Sequence, residues 1–454
     1  MVASATPASA SSVRALFASE DSAARLLARR RDDVLATLRG FAAAADTAGA
    51  DPSTSARACP EDARPALELL DESSNARDDA CTLAVLTHLK ILARDAATRA
   101  TFGERGVRTL VRVLKTIDRT LLAMKETPKQ PVSRERATGI LLAAEGANVA
   151  LNACHHPANV AAFAEAGGVS VLLRWLSRDA TTKRVEGGGD VEDGGVDGNR
   201  SGERVPRASG RGREAADAPS AALRRNAAGA LQSACFEPAG RAAAAREDGV
   251  EGMLAALQVA VGGPCGGERD GKRSAHDADV DAVLAARLTG ALHNATADAA
   301  CVRLVRAAGR GGVPLLVSLL RGTEADAAAS AAGAVQNLAR ERQARAEARR
   351  VGAVAALGDL LVAGTTSGKA HAAGALANLL GPELSGEEAR ERDGGGSESG
   401  SGDQQENVAP SLAVDGDSGD ARRRALGKLL SSALALSMAW EMIHDAPPET
   451  RALA

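Results

Sequence analysis

GALHNAT at 290–296, GAVQNLA at 333–339 and GALANLL at 374–380 are three copies of one phrase. Each sets a glycine four residues before an asparagine: Gly290 and Asn294, Gly333 and Asn337, Gly374 and Asn378. GALQSAC at 229–235 keeps the pattern with Ser233 at the Asn position. NVALNAC at 148–154 keeps Asn152 and has Asn148 in place of the glycine. A second phrase follows at a fixed distance. One constant interval leads from Asn152, Ser233 and Asn337 to Val169 in AGGVSVLLRWL, Val250 in EDGVEGMLAAL and Val354 in VGAVAALGDLL. From Asn294 to Val313, in GGVPLLVSLL, the interval is two residues longer. The constant interval taken back from Val107 in ERGVRTLVRVL lands on Lys90, the centre of a more divergent copy in LTHLKIL.

The anchors are thus Lys90, Asn152, Ser233, Asn294, Asn337 and Asn378, and their successive separations along the chain are 62, 81, 61, 43 and 41. The last two give a bare period of about 42, in the range of armadillo and HEAT units and longer than ankyrin or tetratricopeptide units. The excess in the first three belongs in loops, and the composition supplies them near 115–135, 179–219 and 260–280. These stretches hold Pro128 and Pro131, GGGDVEDGGVDGNRSGERV, and GGPCGGERDGKRS. Chain this rich in Gly, Pro and charge does not bury enough apolar surface to order itself.

The phrases resemble the armadillo repeat, whose third helix reads A-x-G-A-L-x-N-L and whose next unit opens x-x-G-G-V/I-P-x-L-V-x-L-L. AAGAVQNLA and GGVPLLVSLL match closely, and AEAGGVSVLLRWL lacks only the Pro. The resemblance covers roughly 75–381. HEAT repeats share the period but not the Gly-x-x-x-Asn phrase. The expected fold is all-α: an armadillo-type right-handed α-solenoid with long disordered loop inserts. Residues 1–69 are expected to hold a leader and capping helices, 70–381 the solenoid, 382–420 a disordered acidic linker and 421–446 a C-terminal helix.

Physical chemistry supports this independently of the resemblance. A glycine inside a helix costs about 1 kcal/mol relative to alanine, so its recurrence reports close approach of a neighbour. Ala332 and Ala334 beside Gly333 permit that approach, and Leu319 and Leu320 fill a core shared between units. The Gly-Gly before Val313 is expected to stop one helix with a left-handed residue, and Pro314 to open the next. A single unit leaves its apolar faces exposed; a stack buries them.

Composition narrows the function. Hydrophobic residues make up 45% and aromatics 2%, with no Tyr, so the core is built from Ala, Leu and Val, as packed helices allow. A net charge of −3 and scarce aromatics do not provide the basic face and stacking platforms of a nucleic-acid binder, so nucleic acid is not an expected partner. The six cysteines form no CxxC pair and read as free thiols of a reducing compartment. No uninterrupted apolar run reaches the length of about 18 residues at which a membrane span is expected. The Ser- and Ala-rich start faintly resembles a transit peptide, but a disordered leader before a helix is the expectation. The expected location is therefore cytoplasmic or nuclear.

In armadillo proteins the third helices line a concave surface, and their Asn hydrogen-bonds the main chain of a bound extended peptide. The resemblance implies that role for Asn152, Asn294, Asn337 and Asn378. An amide offers the donor and the acceptor one peptide unit needs. Ser233 keeps an acceptor with shorter reach, and Lys90 departs from the pattern. A lone Asn near a helix end reads first as a local cap; four in phase point to the groove. His155, His293 and Arg340 fall close to the same row. The expected function is a non-enzymatic scaffold that binds extended segments of partner proteins in the groove. The alternative is a transport or targeting adaptor carrying protein cargo. Nuclear-import adaptors of the family add a Trp four residues before the Asn, where this chain has Leu86, Asn148 and four glycines.

Other motifs fail on inspection. GGERDGKRS at 266–274 has P-loop spacing at Gly266, Gly271 and Lys272, but Arg273 stands where Ser or Thr holds magnesium. AGTTSGKA at 363–370 lacks both the first glycine and the final hydroxyl. Cys154, His155 and His156 have no matching ligand pair at zinc spacing. Thus no cofactor, metal, catalytic residue or small-molecule substrate is expected. The 421–446 segment reads as a helix that caps the stack, binds a partner or lies on a membrane surface, in that order.

Overall fold

The structure, a computed structural model, describes residues 10–18, 22–47, 60–124, 132–177, 211–262 and 275–380. Among these residues every regular element is a helix. They form two compact units, one ending at Gly311 and the other beginning at Gly312.

The first unit runs α1 (Ala10–Phe17), α2 (Ala23–Thr47), α3 (Ala63–Asn75), α4 (Asp79–Leu92), α5 (Ala96–Ala123), α6 (Arg134–Ala153), α7 (Pro157–Glu165), α8 (Gly168–Ser177), α9 (Arg211–Cys235), α10 (Pro238–Arg246), α11 (Gly249–Ala260), α12 (Ala275–Ala295) and α13 (Ala299–Ala307). The second runs α14 (Val313–Leu319), α15 (Ala325–Leu338), α16 (Arg342–Arg350), α17 (Ala353–Ala363) and α18 (Thr366–Leu380). The repeat is a helix triplet. Its first helix is nine residues long in α7, α10, α13 and α16. Like packs on like: α7 on α10, α8 on α11, and the third helices α4, α6, α9 and α12 in sequence. In the second unit α15 packs along α18 in the same manner. The protein is therefore an all-α repeat protein built of stacked helix triplets.

Small residues make this stacking close. On α15, Ala327, Ala328, Ala329, Ala331, Ala332 and Ala334 are all buried, so apolar surface covers nearly the whole helix circumference, as a helix flanked on several sides requires. Among the described residues Trp175 and Phe163 are the largest fully buried side chains. The Trp175 indole Nε1 donates to Asp118 at 3.0 Å, and Arg174 Nε donates to the other oxygen of that buried carboxylate at 2.7 Å.

The corners between first and second helices use left-handed backbone. Gly167, Asp248, Gly309 and Gly352 all have positive φ, and all four stand at the same distance after the anchor of their repeat. Asp248 is one of the residue types that tolerate this region without glycine's freedom. The Gly-Gly before Val313 is not the left-handed stop expected of it. Gly309 carries the positive φ, and the two extra residues of this copy enter a short 3-10 turn at Gly309–Gly311.

Three boundaries differ from the sequence expectation. The repeat begins at α3, before residue 70, with Leu67, Leu69 and Leu70 buried. Residues 115–123, expected in a loop, continue α5 and bury Ile117 and Leu121. The third helices α6, α9 and α12 have 20, 25 and 21 residues, against 14 and 15 in α15 and α18. Part of each insert thus lengthens a helix, because Ala-rich chain continues helical geometry at little cost. Residues 178–210, 263–274 and 381–454 lie outside the described residues. The stretch around Lys272, the expected acidic linker and the expected 421–446 helix fall there.

Of the N-terminal helices, α2 lies against both α3 and α4. Phe17 of α1 and Phe41 of α2 enclose His88 of α4, with ring centroids 6.1 and 4.9 Å away.

Candidate functional site

The last four carbonyls of a helix have no partner within it. At the end of α9 the Phe236 amide turns to the Ser233 carbonyl, at 3.3 Å, and bypasses that of Gln232. At the end of α15 the Arg340 amide turns to Asn337, at 3.2 Å, and bypasses Gln336. At the end of α4 the Arg94 amide turns to Ile91, at 3.2 Å, and bypasses Lys90. The anchor asparagines take up these three bypassed carbonyls. Asn294 Nδ2 donates to Gln232 at 2.9 Å, Asn378 Nδ2 to Gln336 at 2.9 Å and Asn152 Nδ2 to Lys90 at 3.3 Å.

The glycine of the phrase grips the same neighbour. A Cβ built on Gly290 would overlap the Gln232 side-chain amide, and one built on Gly374 would overlap that of Gln336. Gly-x-x-x-Asn is therefore a two-point staple: Gly seats the neighbour's side chain while Asn caps its carbonyl. The cap is not local: it is made across repeats. One N–H of each amide is committed to it. Among the described residues the Oδ1 of Asn294 and of Asn378 receives no donor, so both remain available as acceptors.

Lys90 is a correction. The carbonyls capped by Asn294 and Asn378 lie one residue before the anchors Ser233 and Asn337, so the residue equivalent to those anchors on α4 is Ile91. First-helix arginines give the same register. Arg99 Nη1 donates to the carbonyls of Ala93 and Arg94 at 3.3 and 3.0 Å, as Arg241 Nη1 does to Cys235 and Phe236 at 3.2 and 2.6 Å. Arg345 Nη1 reaches Ala339 at 3.4 Å. Each arginine follows its anchor by eight residues only if the first anchor is Ile91. The count from Val107 failed because the corner in α5 comes early, at Gly103 with φ +56°. Ile91 is buried. Lys90 Nζ pairs with Glu145 Oε2 at 2.8 Å.

Ser233 breaks the series. Its hydroxyl is bonded to no protein group among the described residues. The carbonyl it would cap, Leu151, is bypassed when the His155 amide turns to Asn152 at 3.2 Å. Here a cleft of about 470 Å³ opens between α6, α9 and α12, lined among others by Leu151, His155, Ser233, Phe236, Arg287 and Asn294. Leu151 seats on Gly229, its Cδ1 2.5 Å from a Cβ built there. Arg287 is held by the Arg225 carbonyl at 2.7 Å and Asn226 Oδ1 at 3.4 Å; burial and then the Arg225 charge lower its pKa. Burial, then the Arg99 charge, lowers that of His155.

The structure brings Ser233 and Asn294 together in this cleft. Asn152 stands on α6, and Asn337 and Asn378 stand half-buried on α15 and α18 of the second unit. His155 and Arg340 are exposed in the turns that follow third helices, and His293 is half-buried on α12. Sequence reasoning missed Phe236, which is 70% exposed, and the glutamines that the staples hold. Phe236 stands three residues after its anchor, where His155, Ala297 and Arg340 stand in other repeats. An aromatic at that turn position, in a chain nearly devoid of them, was the available signal.

The remaining chemistry is spare. Cys81, Cys154, Cys235 and Cys301 are buried free thiols, and burial pushes Cys154 and Cys235 up to about 12. Among the described residues no group of three or more His, Cys, Asp or Glu is arranged to hold a metal. No single described helix is long and apolar enough to cross a membrane. Thr365 caps α18, accepting from the Gly368 amide at 3.1 Å, so the glycine-containing stretch at 363–370 is a helix start.

No family model matches the chain, and neither does any curated protein. Among solved structures it is similar to an engineered protein from the Northeast Structural Genomics Consortium, at 20% identity and a TM-score of 0.46, covering 69% of this chain and 96% of that one. It is also similar to a designed armadillo repeat protein, at 14% identity and a TM-score of 0.43, covering 68% and 98%. A designed armadillo repeat protein in complex with a (KR)4 peptide stands at the same values.

Proposed function

We propose that the protein is a non-enzymatic scaffold, and that the ends of its third helices bind extended segments of partner proteins. The observation that carries this reading is the cleft at α6, α9 and α12. It combines an unfilled apolar wall at Leu151 and Phe236 with main-chain-directed polar groups at Asn294 and Ser233. Extended peptides require this combination: periodic acceptors and donors for the backbone, and apolar contact for alternate side chains. Because one N–H of Asn294 is committed to Gln232, its share in peptide binding is chiefly that of an acceptor for a peptide N–H. An exposed Phe beside a concave polar wall is the kind of anchor that dominates interface energetics.

The test is selection of a displayed random-peptide library against the full chain, followed by titration of synthetic binders. Phe236→Ala should weaken a selected peptide about fivefold or more, since anchor truncations cost above about 1 kcal/mol. Binding that Phe236→Ala leaves untouched would defeat the reading. Changing Asn294 to Ala is the weaker test, because it also cuts the staple to α9.

The proposal extends to a cytoplasmic or nuclear location. The buried free thiols at four described cysteines support a reducing compartment. A fluorescent fusion found in the secretory pathway would overturn it.

A further inference from the structure

We infer that the Ser233 cleft is a recognition pocket for a side-chain carboxamide, an Asn or Gln of the bound segment. This rests on the groove reading above.

The inference follows from how the chain treats the equivalent place elsewhere. The Lys90, Gln232 and Gln336 carbonyls each receive an amide N–H from the following third helix. At the junction of α6 and α9 the donor is missing, because serine is shorter than asparagine by an amide group. Two polar groups belong to residues that line one cleft: the uncapped Leu151 carbonyl, an acceptor, and the Ser233 hydroxyl, a donor and acceptor. A carboxamide satisfies both, with its NH2 to Leu151 and its oxygen to Ser233. It thereby rebuilds from outside the bond that Asn294 makes from within.

Charge gives neither sign a clear advantage, since Glu237 and Arg287 both line the cleft and a ligand of either charge meets one like charge. Glu237 lines the cleft and disfavours a carboxylate. Arg287 lines it too, fixed in place by Arg225 and Asn226, and disfavours lysine or arginine. An apolar side chain fits the volume but strands two polar groups away from water, a loss each incurs unless hydrogen-bonded. A neutral carboxamide avoids both like-charge contacts and satisfies the Leu151 carbonyl and the Ser233 hydroxyl together. Leu151 and the exposed Phe236 ring would flank its methylene stem.

The experiment uses the full chain and the displayed random-peptide library. Selected binders should converge on Asn or Gln at one position. In synthetic copies, changing that residue to Leu should weaken binding about tenfold, the loss expected for two stranded polar groups. Ser233→Asn should fill the pocket from within and cost the carboxamide peptide at least as much, while raising the unfolding midpoint. Ser233→Ala keeps the space, removes one partner and should weaken binding severalfold, which covers the case in which Asn does not pack. Binders that show no carboxamide preference, or that bind Ser233→Asn equally well, would overturn the inference and leave the groove reading standing. A library that yields no binder would overturn both.

Discussion

Asn294 Nδ2 lies 2.9 Å from the carbonyl oxygen of Gln232, on the neighbouring third helix. The bond ties two repeats at a carbonyl that its own helix leaves open. Asn378 holds Gln336 with the same geometry. It also gives these asparagines a structural cost of removal, separate from any ligand.

Asn294→Ala and Asn378→Ala should each destabilise the protein by about 1 kcal/mol, the net worth of one such hydrogen bond with its acceptor left partly buried. Urea denaturation of the unliganded chain reads the change. Full stability in both variants would show that the staples contribute nothing.

The glycines separate into two kinds. A Cβ at Gly290 meets the far end of the flexible Gln232 side chain. There Gly290→Ala should fall within about 1 kcal/mol of neutral, the helix-propensity gain offsetting the displaced amide. A Cβ at Gly240 runs into the Ala234 carbonyl in the last turn of α9. That backbone has nowhere to go, and Gly240→Ala should cost about 2–3 kcal/mol. Equal effects in thermal melts would contradict the distinction.

His88 makes stability depend on pH. Among the described residues both ring nitrogens are buried without a hydrogen-bond partner, and burial draws the pKa down from 6.5 to about 4. Between those values the unfolded chain binds a proton that the folded one refuses, so stability falls as pH drops from about 6.5 toward 4. The full gap is worth about 3 kcal/mol. His88→Phe should flatten that part of the profile in denaturation curves across the range. A variant whose acid sensitivity matches the parent would assign the effect to other groups.

Asp118→Ala should cost about 1–3 kcal/mol, because the buried Trp175 N–H loses its acceptor. Arg174 adds little, since its side chain is 44% exposed and water replaces the lost partner. Altered native-state tryptophan fluorescence would accompany the loss. Unchanged stability would mean that the indole finds another acceptor.

The sequence by itself determined the period, the helix triplets and the kind of core. These depend on local spacing: glycines and alanines that admit close neighbours, valines and leucines at helical intervals, and corners such as Gly352 where left-handed backbone ends a helix. Only the tertiary structure decided what the asparagines hold. A bypassed carbonyl is created where a third helix turns into the next first helix, and the donor that caps it comes from a whole repeat further along the chain. The same dependence explains the misplaced first anchor. An early corner at Gly103 shifted the count by one residue, and only the carbonyl bypassed at Lys90 and the Arg99 contacts reveal that Ile91 is the equivalent position. The cleft, too, is invisible in the phrase GALQSAC. Serine for asparagine is one missing amide on paper; between packed helices it is an uncapped carbonyl and open volume beside it.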